Sequence, residues 1–295
     1  MTEFEFDFLR VFLKERSGLA LTSEKRYLVE SRLGPICRQF DIDTLSELVM
    51  GLKAGKDPDL ERAVVEAMTT NETFFFRDKA PFDLFRDVLM PRYLAARATT
   101  RRLRIWCAAA STGQEPYSLA MLLSEAAPKL AGWSVEIVAT DLSTEVLDRA
   151  KAGLYSQFEV QRGLPIQLLL KYFTQVGDQW QIAPQIRSMV SFRPLNLIRD
   201  FASLGSFDVI YCRNVLIYFD GPTKTSVLQR LGQALNPDGA LLLGAAETVI
   251  GLTDALASDA EHRGLYRRAA RPSPAAPALG VAAPAAAPLR MAAGR

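Results

Sequence analysis

Residues 102–127 read RLRIWCAAASTGQEPYSLAMLLSEAA, and the fold turns on how they are parsed. Leu103, Ile105, Trp106 and Cys107 form a short apolar run that ends in three alanines, the pattern of a buried strand. Ser111, Thr112 and Gly113 make a small-residue turn, where backbone can approach a ligand closely. From Glu115 the apolar residues take helical spacing. Similar units follow: SVEIVATDL (134–142) with STEVLDRAKAG (143–153), MVSFRPLNL (189–197), and FDVIYCRNV (207–215) with PTKTSVLQRLGQAL (222–235). That last helix is expected to end at NPDG (236–239), before a fifth strand ALLLGAAE (240–247) and an edge strand GLYRR (264–268). Strands alternating with helices specify an α/β domain: a mostly parallel, Rossmann-like sheet covered on both faces.

Residues 154–188 break the alternation. They hold an amphipathic helix, PIQLLLKYF (165–173), and TQVGDQWQIA (174–183), which alternates about Gly177 and Asp178 like a hairpin. They are expected to form a small inserted β-subdomain, a common way to adapt a scaffold to a partner. Residues 1–70 show only helical patterns. Thr2 with Glu5 and Thr44 with Glu47 are capping boxes, and Asp57 precedes Pro58 as an N-cap. LTSEKRYLVESRL (21–33) carries Lys25, Arg26 and Arg32 on its polar positions, either a solvated face or a docking face for an acidic partner. Residues 71–100 link this module to the sheet, and 101–268 form the α/β domain. Residues 269–295 contain twelve Ala and five Pro and are expected to be disordered.

The chain has 295 residues, is 49% hydrophobic and carries a formal charge of +2. Three of its arginines lie in the tail, which leaves the rest near −1 and speaks against nucleic acid as a partner. Three distant cysteines fit a reducing compartment, and a lone histidine, His262, argues against a His-centred triad or a multi-His metal site, so no metal is expected. No signal-peptide pattern follows Met1 and no apolar run has the length of a membrane span, so a cytoplasmic protein, without membrane insertion and monomeric, is expected.

In an open α/β sheet the ligand sits at the carboxyl ends of the strands. Neither G-x-G-x-x-G nor a phosphate loop follows the first strand. Asp141, after the second, can accept both hydroxyls of a ribose or cap the next helix, although Ser143 can do the latter. Asn196 and Leu197 suit an adenine edge and face, and Arg213, Asn214 and Tyr218 follow the fourth strand, Tyr218 being equally readable as a core aromatic. A nucleoside site without phosphate machinery points to S-adenosylmethionine.

The motifs NETFFFRD (71–78), WCAAASTGQEPYSLAM (106–121), ATDLSTEVLDRA (139–150) and FDVIYCRNVLIYFD (207–220) together resemble the CheR-type chemotaxis receptor methyltransferases from about residue 5 to residue 268. The resemblance implies a helical N-terminal domain joined to a class I S-adenosylmethionine-dependent methyltransferase with an inserted β-subdomain. The implied reaction forms methyl esters on glutamate side chains of chemoreceptor methylation helices and releases S-adenosylhomocysteine. By motif position it implies cofactor contacts at Asn71, Thr73, Arg77, Glu115, Asp141, Asn196, Leu197, Arg213 and Asn214, with Arg77 and Tyr218 beside the transferring methyl. Gln114 and Ala110 stand where many members have an acid and a cysteine. The segment QVGDQWQIAPQIRSMV (175–190) looks compact, more like members that do not tether to a receptor C-terminal pentapeptide. Two other readings stay open. An amine or RNA methylase is disfavoured because Val215, not Pro, follows Asn214, and a cofactor-sensing module without activity is the second. The three phenylalanines Phe74, Phe75 and Phe76 are expected to wall the helical module from the sheet, folded over the cofactor.

Overall fold

A computed structural model describes residues 1–269, so the tail expected to be disordered lies outside the described residues apart from Ala269. Four helices open the chain: α1 (Glu3–Ser17), α2 (Arg26–Gln39), α3 (Leu45–Ala54) and α4 (Pro58–Ala67). Thr2 and Glu5 close a capping box on α1, Thr44 caps α3, and Asp57 accepts the N–H groups of Asp59 and Leu60 at the start of α4. Their apolar stripes share one core that includes Leu9, Leu13, Val29, Leu33, Leu48 and Val64. After Asn71 come α5 (Ala80–Leu84), a π-helical turn (Phe85–Leu89) and α6 (Met90–Ala96).

The α/β part runs β1 (Arg102–Ala108), α7 (Gln114–Glu125), β2 (Ser134–Asp141) and α8 (Thr144–Ala152). The insert follows: β3 (Leu154–Ser156), α9 (Gln157–Gln161), α10 (Ile166–Tyr172), β4 (Phe173–Val176), β5 (Gln179–Ile182) and α11 (Pro184–Arg187). The chain then returns through β6 (Val190–Pro194), β7 (Phe207–Cys212), α12 (Gly221–Ala234), β8 (Leu235–Leu243), β9 (Leu256–Ser258) and β10 (Leu265–Arg268). The large sheet has the order β6-β2-β1-β7-β8-β10-β9, and the insert is a three-stranded sheet, β3-β5-β4. Strands β6 to β8 are parallel, while β10 is antiparallel to both its neighbours. Period-two alternation sorts each strand into two cores. Ile105, Cys107, Val209 and Tyr211 face one side, Trp106, Ala108, Ile210 and Cys212 the other.

Two details differ from the expectation. The segment GLYRR is not the edge: β10 lies between β8 and a three-residue β9 too short to leave a periodic signal. The residues NPDG do not precede the fifth strand; β8 begins at Leu235, and the register slips between Phe207 and Val209 so that the turn-forming residues fall within an irregular strand start.

The helical module rests on the carboxyl edge of the sheet. Ala20 N–H donates to the Tyr218 carbonyl at 2.9 Å. Glu66 receives the Thr144 N–H at 3.0 Å, at the positive end of α8. Lys14 pairs with Asp220, the N-cap of α12, at 2.6 Å. The hydrogen bonds from Lys14 and Thr223 hold the Asp220 carboxyl at about 2, below its ordinary 3.8. A carboxyl depressed by folding contributes stability above its ordinary value and loses it as pH falls through its folded value. Asp220→Asn keeps the cap but not the charge. It is expected to cost about 0.5–1 kcal/mol at neutral pH. The difference from wild type should shrink through the window between about pH 4 and 2, as read by denaturant unfolding at stepped pH.

Candidate active site

A cleft of about 980 Å³, its open mouth included, lies where the chain reverses direction across the sheet between β1 and β7. Its floor is the turn after β1. Ala109, Ser111 and Gly113 there have φ of 58°, 50° and 93°, and a Cβ on Gly113 would sit 3.0 Å from that of Ala150 and 3.2 Å from the Tyr155 hydroxyl. Asp141, at the end of β2, accepts the N–H of Ser111 at 2.8 Å and that of Ser143 at 3.0 Å, while Ser143 caps α8. Burial pushes the Asp141 carboxyl up, opposed by those N–H groups. Ser111 Oγ donates to the Asn71 carbonyl at 2.8 Å and so ties the linker to the floor.

Arg213, at the end of β7, is the electrostatic pivot. Its side chain is 1% exposed, donates to Glu115 Oε2 and Asp78 Oδ2 at 2.7 Å each, and also donates to the Arg77 carbonyl at 2.8 Å. Burial works against its charge, but the Glu115 and Asp78 carboxylates more than offset that and keep it protonated. Two buried side-chain nitrogens lack a partner among the described residues, Arg213 Nε and Arg267 Nη1, and only Arg213 lines the cleft. Phe76, Asp78 and Lys79 have φ of 53°, 66° and 45°, a cluster of left-handed residues around Arg77.

All ten residues singled out for cofactor or methyl contact line this one cleft: Asn71, Thr73, Arg77, Glu115, Asp141, Asn196, Leu197, Arg213, Asn214 and Tyr218. Asn196 is engaged at both ends of its amide, donating to the Arg16 carbonyl at 2.6 Å and accepting from Ile198 N–H at 3.2 Å. Tyr218 is half-buried, and its hydroxyl makes no hydrogen bond among the described residues. The helical module also contributes to the wall, through Ser17, Leu19, Met68 and Thr69. Sequence reasoning missed these, and it missed Glu247. That carboxylate accepts the N–H groups of Asn214, Val215, Leu216 and Gly244 at 2.7–3.0 Å and so holds the loop carrying Asn214 and Tyr218. An acid closing the run LLLGAAE was the available signal.

Two expectations are corrected. Phe75 and Phe76 do not wall off the helical module and do not fold over the cleft. Phe75 is fully buried edge-on against Tyr155 and Phe173 of the insert, at 5.1 and 5.6 Å, and Phe76 packs on Phe82. The apolar surface they bury belongs to the insert and the sheet-covering helices. Arg32 is not free to dock a partner: it donates to the carbonyls of Met68 and Thr69 and to the Thr70 hydroxyl, because the chain leaving α4 needs donors for its last carbonyls. Arg26 pairs with Glu30 within α2, and Lys25 is exposed in the preceding 3₁₀ turn.

A doubly wound sheet with an antiparallel strand set between its last parallel strands, and a cleft without a phosphate loop, define a Rossmann-like class I methyltransferase. The chain belongs to the CheR methyltransferase family: residues 5–69 match its all-alpha domain and residues 71–263 its SAM binding domain. It is 44% identical over 251 residues to chemotaxis protein methyltransferase 1 of Vibrio cholerae, covering 84% of this chain and 90% of that protein. To chemotaxis protein methyltransferase 1 of Pseudomonas aeruginosa it is 45% identical over 254 residues, 85% and 92% of the two chains. S-adenosylmethionine is therefore the cofactor. The cleft suits it: a buried carboxylate at Asp141 for hydroxyls, apolar surface at Leu142, Leu195, Leu197 and Val215 for a base, and a buried cation, Arg213, whose Nε has no partner among the described residues, at the end where a carboxylate would lie. No helix among the described residues is long and apolar enough to cross a membrane.

Proposed function

We propose that this methyltransferase esterifies glutamate side chains on the cytoplasmic methylation helices of chemoreceptors, acting as a cytoplasmic monomer. The observation that carries this reading is that, among the described residues, no histidine or lysine lines the cleft and its carboxylates are already engaged, Glu72 by Arg162, Glu115 by Arg213 and Asp141 by backbone N–H groups. The lone histidine, His262, pairs with Asp259 and is not among the lining residues, while Arg77 and Tyr218 are. An amine acceptor must shed a proton; a carboxylate arrives ionised at neutral pH and needs only to be placed. Bound S-adenosylmethionine supplies an electrophilic methyl on a sulfonium, which a carboxylate oxygen takes as the sulfur leaves with its electron pair.

In this reading Asp141 holds the ribose, the leucines hold the base, and Asn71, Thr73 and Arg213 meet the amino-acid end. Arg77 and Tyr218 orient the acceptor. Orientation outweighs acid–base chemistry in this reading because the sulfonium and carboxylate charges cancel as the bond forms. A strong field would then hinder the step, and positioning is the useful contribution. The test is transfer of radiolabelled methyl from S-adenosylmethionine to a purified chemoreceptor cytoplasmic fragment. The expected product releases volatile label in mild base, as an ester does. Base-stable label would assign an amine acceptor instead.

A further inference from the structure

Two cations from separate segments meet at Glu72 beside the cleft, one on its carboxylate and one on its backbone carbonyl. Glu72, a lining residue, pairs through Oε1 with Nη2 of Arg162 in the insert at 2.7 Å. Arg77 donates to the Glu72 carbonyl at 2.6 Å. The guanidinium carbons of Arg162 and Arg77 lie 4.3 and 5.6 Å from the centroid of the same ring, Phe74. That ring is a shared platform, a geometry that fixes guanidinium planes while leaving their N–H edges free to bind.

The platform is braced from below. Gly163, which follows Arg162, has φ +82°, and a Cβ there would lie 2.1 Å from the Phe75 carbonyl oxygen. The insert is thus pressed directly onto the backbone of the linker, so Arg162 keeps its place relative to Phe74. The Arg162 hydrogen bond, with the charges of Arg77 and Arg162, holds the Glu72 carboxyl below the usual range. The pair is also easy to open: the Arg162 and Glu72 side chains are 41% and 54% exposed, and exposed pairs of this kind are weak. What the edge of the cleft presents is one arginine, Arg162, holding the protein's own Glu72 carboxylate, with Arg77 beside it on the backbone carbonyl of the same residue.

We infer that Arg162 is a specificity-determining contact for an acidic side chain of the acceptor next to the reacting glutamate, and that Glu72 is an internal stand-in which this side chain displaces. The inference rests on the proposed function and deepens it by assigning the insert a direct part in acceptor recognition. Arg77, unlike Arg162, lines the cleft and is left for the reacting carboxylate. Because Arg162 binds and does not react, its loss should fall on the acceptor KM.

The experiment is steady-state methylation of a chemoreceptor cytoplasmic fragment by wild type, Arg162→Ala, Arg162→Lys and Glu72→Gln, with S-adenosylhomocysteine affinity measured by calorimetry on each. Arg162→Ala is expected to raise the acceptor KM about fivefold, and Arg162→Lys about twofold. Glu72→Gln, which removes the competitor, is expected to lower it about twofold. Affinity for S-adenosylhomocysteine should stay within about twofold in Arg162→Ala, since that residue does not line the cleft. An unmoved KM in Arg162→Ala, or a KM raised equally by Glu72→Gln, would overturn the inference, the second result reducing the pair to a structural brace. A wild type that binds S-adenosylhomocysteine but methylates no receptor fragment overturns the proposed function and this inference with it.

Discussion

Arg77→Ala is expected to cut turnover about 10²–10³-fold while affinity for S-adenosylhomocysteine changes by less than about tenfold. The asymmetry follows from how Arg77 is held. Its backbone is fixed by the bond from buried Arg213 to its carbonyl and by the left-handed residues on either side. Its side chain has one hydrogen bond, to the Glu72 carbonyl, and the Phe74 ring beneath it. Removing the side chain therefore leaves the wall of the cleft in place and takes away the group that would aim the acceptor. A bidentate grip would drain charge from the nucleophile, so a single contact suits the reaction better. Arg77→Lys should recover only part of the loss, because an ammonium cannot keep the planar seat on the ring. Single-turnover methylation at saturating cofactor separates the two quantities. Normal turnover would remove Arg77 from the reaction.

Glu247→Ala carries the other large effect, and it falls first on stability. Both carboxylate oxygens accept two backbone N–H groups, Oε1 from Val215 and Leu216 and Oε2 from Asn214 and Gly244. The glycine is forced by this arrangement, since a Cβ at Gly244 would lie 2.7 Å from Oε2 and 2.9 Å from Asn214 N. Deleting the acceptor strands four donors in a buried loop end, at about 1–3 kcal/mol for each that water cannot reach. A net loss of about 3–5 kcal/mol is expected. That corresponds to a melting temperature lower by roughly 5–10 °C. Glu247→Gln should be nearly as harmful, because its amide NH₂ would point at two N–H groups where an oxygen is required. Whatever folds should also bind S-adenosylhomocysteine more weakly, since Asn214, at φ 59°, loses the bond that keeps it left-handed. Thermal unfolding with and without S-adenosylhomocysteine measures both. A Glu247→Gln protein as stable as wild type would show that the loop is held by its own packing.

The strand–turn–helix units, the caps of the first helices and the hairpin of the insert were legible because each is written within a dozen residues. The apolar period selects strand or helix, Ser, Thr and Asp mark helix starts, and Gly177 marks a reversal. Most of the candidate site was legible for a related reason: in a parallel sheet the residues after each strand share one edge. Asp141, Asn196 and Arg213 could therefore be grouped without knowing any contact between them.

Tertiary structure decided everything that depends on partners far along the chain. Arg32 looks like a surface cation until the carbonyls of Met68 and Thr69 are brought beside it, and Phe75 looks like an interdomain wall until the insert supplies Tyr155 and Phe173. The acid at Glu247 carries no periodic signal, and its importance lies in four N–H groups from two loops. Local pattern reports which face of an element will be buried. Which distant side chain fills the other half of a contact depends on packing, and charge or aromaticity in a single segment leaves that choice open.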